Sequence, residues 1–129
     1  MKVAAITLVI ACLCFSAAGL YADEVLETYR ARLSARDHFN SSGQRLTTPA
    51  AIIRQDRANF HRYNAADPED EGDTFFANAK NRDILEKLLE RGRTTGDAYR
   101  AVVNGTPLVA VSVVKTEEGV YITVNIISM

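Results

Sequence analysis

The chain has 129 residues, 47% hydrophobic and 24% charged, with a formal net charge of −1. That balance excludes a disordered chain, a collagen and a disulfide scaffold, and the length excludes a multi-domain enzyme. Near-neutrality also argues against nucleic acid as a partner, because proteins that bind a phosphate backbone are usually strongly basic.

Lys2 is followed by twenty residues without a charge, 3–22, and the next charged residue is Asp23. The run opens with an apolar block and closes on Ser16, Ala17, Ala18 and Gly19. A basic start, an apolar stretch and a small-residue exit describe a cleaved signal peptide. The expected division is a signal at 1–22 and a single globular domain at 23–129, with cleavage after Ala22 preferred to Ala18. An uncleaved anchor is the rival, but the Ser/Ala/Gly half is weakly hydrophobic for a span. Cys12 gives a loose lipoprotein-like alternative. Both cysteines, Cys12 and Cys14, lie inside this segment. A cleaved chain would then have no thiol chemistry and no disulfide. A periplasmic or secreted location follows as the expectation, with no stable membrane insertion after cleavage.

Residues 23–36 read as a helix, with Val25 or Leu26, Tyr29 and Leu33 at spacings of three and four and acids at the start. Turn residues at 38–43 break it. Thr48-Pro49 is an N-cap followed by proline at the first helical position, opening a second helix that runs to about Tyr63. An acid-rich loop covers 64–73. Helical character resumes near Thr74, with Phe75, Phe76, Ile84, Leu85, Leu88 and Leu89 on one face. Asn81 or Asp83 could divide it, and Gly92 stops it. Thr95 caps a short helix over 96–103.

The apolar period then changes to two. Residues 108–115 and 120–127 form a hairpin whose loop pairs Lys115 with Val120. That register places Val113 opposite Ile122, Val111 opposite Val124 and Val109 opposite Ile126, which makes one face wholly apolar. The fold class is α+β: three to five short helices followed by a C-terminal antiparallel hairpin packed on them. A strand edge left open would offer a route to a homodimer.

Charge is segregated along the chain. Between Arg30 and Arg62 lie seven arginines, at 30, 32, 36, 45, 54, 57 and 62, against Asp37 and Asp56. Five acids then fall within 67–73. The planar donor fork of arginine suits carboxylate or phosphate. One account makes the basic segment a surface for an envelope protein or an anionic ligand, with Arg30, Arg54, Arg57 and His61 as contacts. On that account Arg30, Arg54 and Arg57 face outward, while Tyr29 and Phe60 belong to the core. The other account folds the 67–73 acids back onto the arginines.

Asp67, Glu69 and Glu71, with Gly72, match the front half of an EF-hand loop. The match then fails, because Asn78 stands where a bidentate Glu is needed. His38 and His61 could serve a phosphodiesterase-like hydrolase as acid and base. Antiparallel helices would hold them about 15–20 Å apart at about 1.5 Å per residue. No phosphate loop, nucleophile elbow or zinc pattern is present. The expected function is therefore binding rather than chemistry, with no cofactor and no resident metal.

Overall fold

The computed structural model describes residues 23–129; the segment read as a signal peptide lies outside the described residues. Strand β1 spans Glu24–Arg32, followed by a 3-10 turn at Ala35–His38 and helix α1 at Pro49–His61. A second 3-10 turn, Phe75–Ala77, leads into α2 (Ala79–Asp83), α3 (Leu85–Arg91) and α4 (Gly96–Asn104). Strands β2 (Leu108–Thr116) and β3 (Gly119–Ser128) complete the chain. The class is α+β, with one antiparallel sheet ordered β1-β2-β3.

The hairpin has the register read from the sequence. Val109 pairs with Ile126, Val111 with Val124 and Val113 with Ile122. Five of these six side chains are buried, and Ile126 packs partly buried against them. The connection is tighter than expected: pairing continues to Thr116 and Gly119, with Gly119 at φ 132°. A left-handed backbone at that corner favours glycine.

The first element is a strand, not a helix. Its 3.6-period signal competes with a period-two signal, in which Tyr29, Ala31 and Leu33 alternate with Thr28, Arg30 and Arg32. The alternation wins because the free edge of β2 offers a ladder, with Tyr29 opposite Val111 and Ala31 opposite Val109. All three alternating apolar residues are buried. A register shift between Val25 and Glu27 leaves Leu26 exposed. Glu27 then accepts the backbone N–H groups of Thr74 (2.7 Å) and Phe75 (3.1 Å), which fastens the second 3-10 turn to β1.

Helix α1 begins as read, with Thr48 Oγ1 accepting from Ala51 N and Pro49 in the first turn. The predicted third helix is divided, with Asn78 capping α2 and Ile84 standing at the break, exposed instead of in the core. Thr95 caps α4 through Ala98 N. Gly92 ends α3 for a packing reason: a Cβ there would stand 1.9 Å from the Ile122 carbonyl oxygen. The core joins the inner sheet face to Leu33, Ile52, Ile53, Phe76, Leu85, Leu88 and Val102.

Both sheet edges are partly covered. Along β1, Glu71 N donates to Arg30 O (2.8 Å), Arg30 N to Glu71 Oε1 (2.8 Å) and Arg32 N to Asp70 Oδ1 (2.8 Å). Along β3, Val124 N donates to Thr94 Oγ1 at 2.9 Å. Covering an edge in this way blunts strand-to-strand association. Among the described residues no helix is long and apolar enough to cross a membrane.

Candidate functional site

The acid loop folds back on the basic segment and, with Asp83 of α2, divides its seven arginines into two groups. Arg30 Nε meets Glu71 at 3.1 Å, Arg32 Nη2 meets Glu69 at 2.8 Å, and Arg54 Nη2 meets Asp83 at 2.7 Å. These hydrogen bonds hold Glu69 and Glu71 below the usual carboxylate range. For Glu69 the main cause is the Arg32 side chain, and for Glu71 it is the backbone N–H of Arg30.

Arg57 is the fourth neutralised arginine and does not face outward: it is 0% exposed. It lies four residues after Ile53 and three before Phe60, on the inward stripe of α1. Nε donates to Asp56 Oδ2 at 2.8 Å, and Nη1 donates to Asp73 Oδ1 at 2.9 Å and to Glu71 O at 3.0 Å. The guanidinium carbon sits 4.1 Å from the Tyr29 ring centroid and 4.7 Å from that of Phe60. Tyr29 is buried as expected, and Phe60 is half-buried against this cation. A planar cation held between two ring faces and two carboxylates is a structural cross-brace.

His61 joins the same brace through Asp73, Nε2 to Oδ1 at 2.6 Å. His38 is buried elsewhere, with Nδ1 2.8 Å from Ser34 O and Nε2 2.8 Å from Val102 O. Both neighbours are backbone carbonyl oxygens, so both ring nitrogens are taken up inside the fold. The two histidines share no partner. Asp67, Glu69 and Glu71 do not wrap a common centre in the EF-hand manner, because Glu69 and Glu71 are turned onto Arg32 and Arg30.

Asp67 instead approaches Asp37 and Asp56, and one carboxylate oxygen of each lies within 4.8 Å of the others. Asp37 comes from the first 3-10 turn, Asp56 from α1 and Asp67 from the loop between α1 and the second turn. Asp37 accepts from Asn59 Nδ2 (2.8 Å) and Ser34 N (3.0 Å). Burial pushes its carboxyl up to about 6, against the lowering effect of Asn59 and Ser34. Burial likewise raises Asp56 well above its ordinary range and raises Asp70.

Three arginines remain without a carboxylate partner among the described residues: Arg36, Arg45 and Arg62. All three are exposed. The chain has no Asp or Glu before Asp23, so the undescribed segment holds none for them. Arg45 lies 5.7 Å over the Phe39 ring and Arg62 lies 5.2 Å over the Tyr63 ring. Phe39 and Tyr63 are themselves exposed, 41% and 47%.

A small turn presents this set. Asn40 Oδ1 accepts from Ser42 N and Gln44 N, Gly43 takes φ 78°, and Phe39 bridges to Arg45. Between the two rings lies a hollow of 360 Å³ lined by Arg36, Phe39, Asn40, Ser41, Gln55, Asn59 and Tyr63. A neighbouring hollow of 390 Å³ shares Asn40, Gln55 and Tyr63 and adds Arg54, Arg62, Asp83 and Glu86. A third, of 530 Å³, lies at the hairpin turn, where Arg91 and Arg93 are mixed with Asp23, Glu117 and Glu118.

Of the contacts expected from sequence, Arg30, Arg54 and His61 are each engaged by one of the chain's own carboxylates and Arg57 by two. Sequence reasoning does not single out the arginines without a carboxylate partner; of these, Arg45 donates to Val103 O (2.8 Å) and Leu46 O (3.2 Å) and Arg36 to Ala65 O (3.4 Å). No protein family, curated protein or solved structure matches this chain.

Proposed function

We propose that this chain is a small exported binding protein that engages an acidic segment of an envelope protein. The engaging surface is Arg36, Arg45 and Arg62 with Phe39 and Tyr63. One observation carries the reading: four arginines of the basic segment have carboxylate partners within the fold, and these three have none among the described residues and lie exposed beside two exposed rings. Arginine and aromatic side chains are enriched where interfaces concentrate binding energy. Arg62 over the Tyr63 ring offers its donor fork to a carboxylate, and Arg45, held by the Leu46 and Val103 carbonyls, adds its charge beside Phe39. The export expectation supplies the compartment, and the hollow between the rings offers a seat for one side chain of the partner.

The test is affinity capture from an envelope extract with wild-type protein and with an Arg36→Glu/Arg62→Glu variant as paired baits. The reading expects a protein enriched by wild type and lost with the variant, while Arg30→Glu retains it. Equal capture by wild type and the double variant at low ionic strength would remove the basis for the reading.

A further inference from the structure

The buried carboxylates of the brace have too few cations. Arg57 is shared between Asp56 and Asp73, His61 meets Asp73, and Asp37 and Asp67 approach Asp56 with no ion-pair partner of their own among the described residues. With all four carboxyls ionised, Asp37 and Asp67 have no cationic partner among the described residues. Leaving an ionised carboxylate buried and unpaired is costly, so buried charges are normally paired or bound to metal.

The hydrogen-bond pattern adds a separate observation. Asp56 is 1% exposed, and its Oδ1 accepts no hydrogen bond among the described residues. Asp67 Oδ2 is also buried without a donor. Buried polar atoms are satisfied in the great majority of cases, so the two orphan acceptors of the carboxylate trio call for an occupant, alongside the orphan donors Arg57 Nη2 and Tyr29 Oη nearby. The spacing fits one. Calcium takes oxygen ligands at about 2.3–2.6 Å, so two ligands on opposite sides of it stand about 4.6–5.2 Å apart. The trio's oxygens fall within 4.8 Å of one another. All three donors are hard carboxylate oxygens. The nearby His38 has both ring nitrogens committed to carbonyl oxygens, which leaves no nitrogen donor of the kind zinc prefers.

We propose that Asp37, Asp56 and Asp67 together hold one divalent cation of calcium's size. The cation ties the 3-10 turn at Ala35–His38, helix α1 and the loop carrying Asp67 into one unit. Asn59 donates to Asp37 and also lines the hollow between Phe39 and Tyr63, so the cation lies under the binding surface proposed above. The inference does not depend on that surface having a partner. It differs from the sequence pattern, in which Asp67, Glu69 and Glu71 would be the ligands.

The experiment is calorimetric titration of CaCl2 into purified protein stripped with chelator, paired with thermal unfolding at rising calcium. The expected result is a saturable single-site isotherm. At calcium about 100 times the Kd, the folded-to-unfolded ratio should rise about 100-fold. Asp56→Asn and Asp67→Asn should abolish both effects, and Glu69→Gln and Glu71→Gln should leave them intact. Asp67 is only partly buried, so its variant keeps the test valid if Asp56→Asn misfolds. No saturable heat in wild type, or binding lost in Glu69→Gln and kept in Asp67→Asn, would overturn the assignment. Stabilisation by acid alone, with no response to calcium, would show that protons and not a metal balance the cluster.

Discussion

Replacing Arg57 with Met keeps an unbranched apolar stem between Tyr29 and Phe60 and removes the charge. Asp73 would retain Phe76 N at 2.6 Å and His61 Nε2 at 2.6 Å. Asp56 Oδ2 would lose its hydrogen bond from Arg57, and Oδ1 has none to begin with. The main cost is therefore an uncompensated buried charge at Asp56, together with two lost cation–π contacts. Breaking a buried ion pair from one side costs about 3–5 kcal/mol. In chelator-treated protein, urea unfolding of Arg57→Met, followed by far-UV circular dichroism, should show a loss of that size. The matched surface change Arg54→Met removes only an exposed pair with Asp83 and should cost at most about 1 kcal/mol. An Arg57→Met/Asp56→Leu double variant should recover much of the loss, because the stranded carboxylate is gone. A loss below about 0.5 kcal/mol for Arg57→Met, in the range of a surface substitution, would refute the cross-brace.

Three further outcomes are expected. In chelator-treated protein, stability should fall as pH rises from about 4 to about 6, because the folded state holds the Asp37 proton longer than the unfolded chain does; the two-unit difference corresponds to about 3 kcal/mol. Asp56 and Asp70 are raised too and act in the same direction, so a urea midpoint that rises across this window would contradict their burial as charged groups. Val111→Ala and Val124→Ala should each cost about 1–3 kcal/mol in the same assay, with Thr123→Ala much milder, and unchanged midpoints for both valines would reject the register. Gly92→Ala should destabilise by about 1–3 kcal/mol, since its Cβ would overlap the Ile122 carbonyl; a neutral result would mean that α3 and β3 separate easily there.

The hairpin was legible because one register sorted two strands at once, and each cross-strand pair checked the others. The caps at Thr48 and Thr95 were legible because a hydroxyl before a helix start is a local signal. Strand β1 was misread because its deciding interaction, the ladder to β2, joins Tyr29 to Val111 across most of the chain. Local periodicity could not choose between two patterns that share Tyr29 and Leu33. Arg57 was misplaced for a related reason. Its spacing from Ile53 and Phe60 puts it on the inward face of α1, but an arginine is read as outward unless its buried partners are known. Those partners, Asp73 and the Glu71 carbonyl, come from the acid loop. The set of Arg36, Arg45 and Arg62 emerges only once the arginines paired with carboxylates are subtracted.

The central claim is that the fold separates structural arginines from binding ones. Amide and arginine side-chain NMR shifts during titration with a glutamate-rich peptide test it most directly. The account predicts saturable shifts at Arg36, Phe39, Asn40, Arg45, Arg62 and Tyr63, weakening as salt is added, with Arg57 unmoved. Shifts centred on Arg30 and Arg54, or on Arg91 and Arg93 at the hairpin turn, would contradict it.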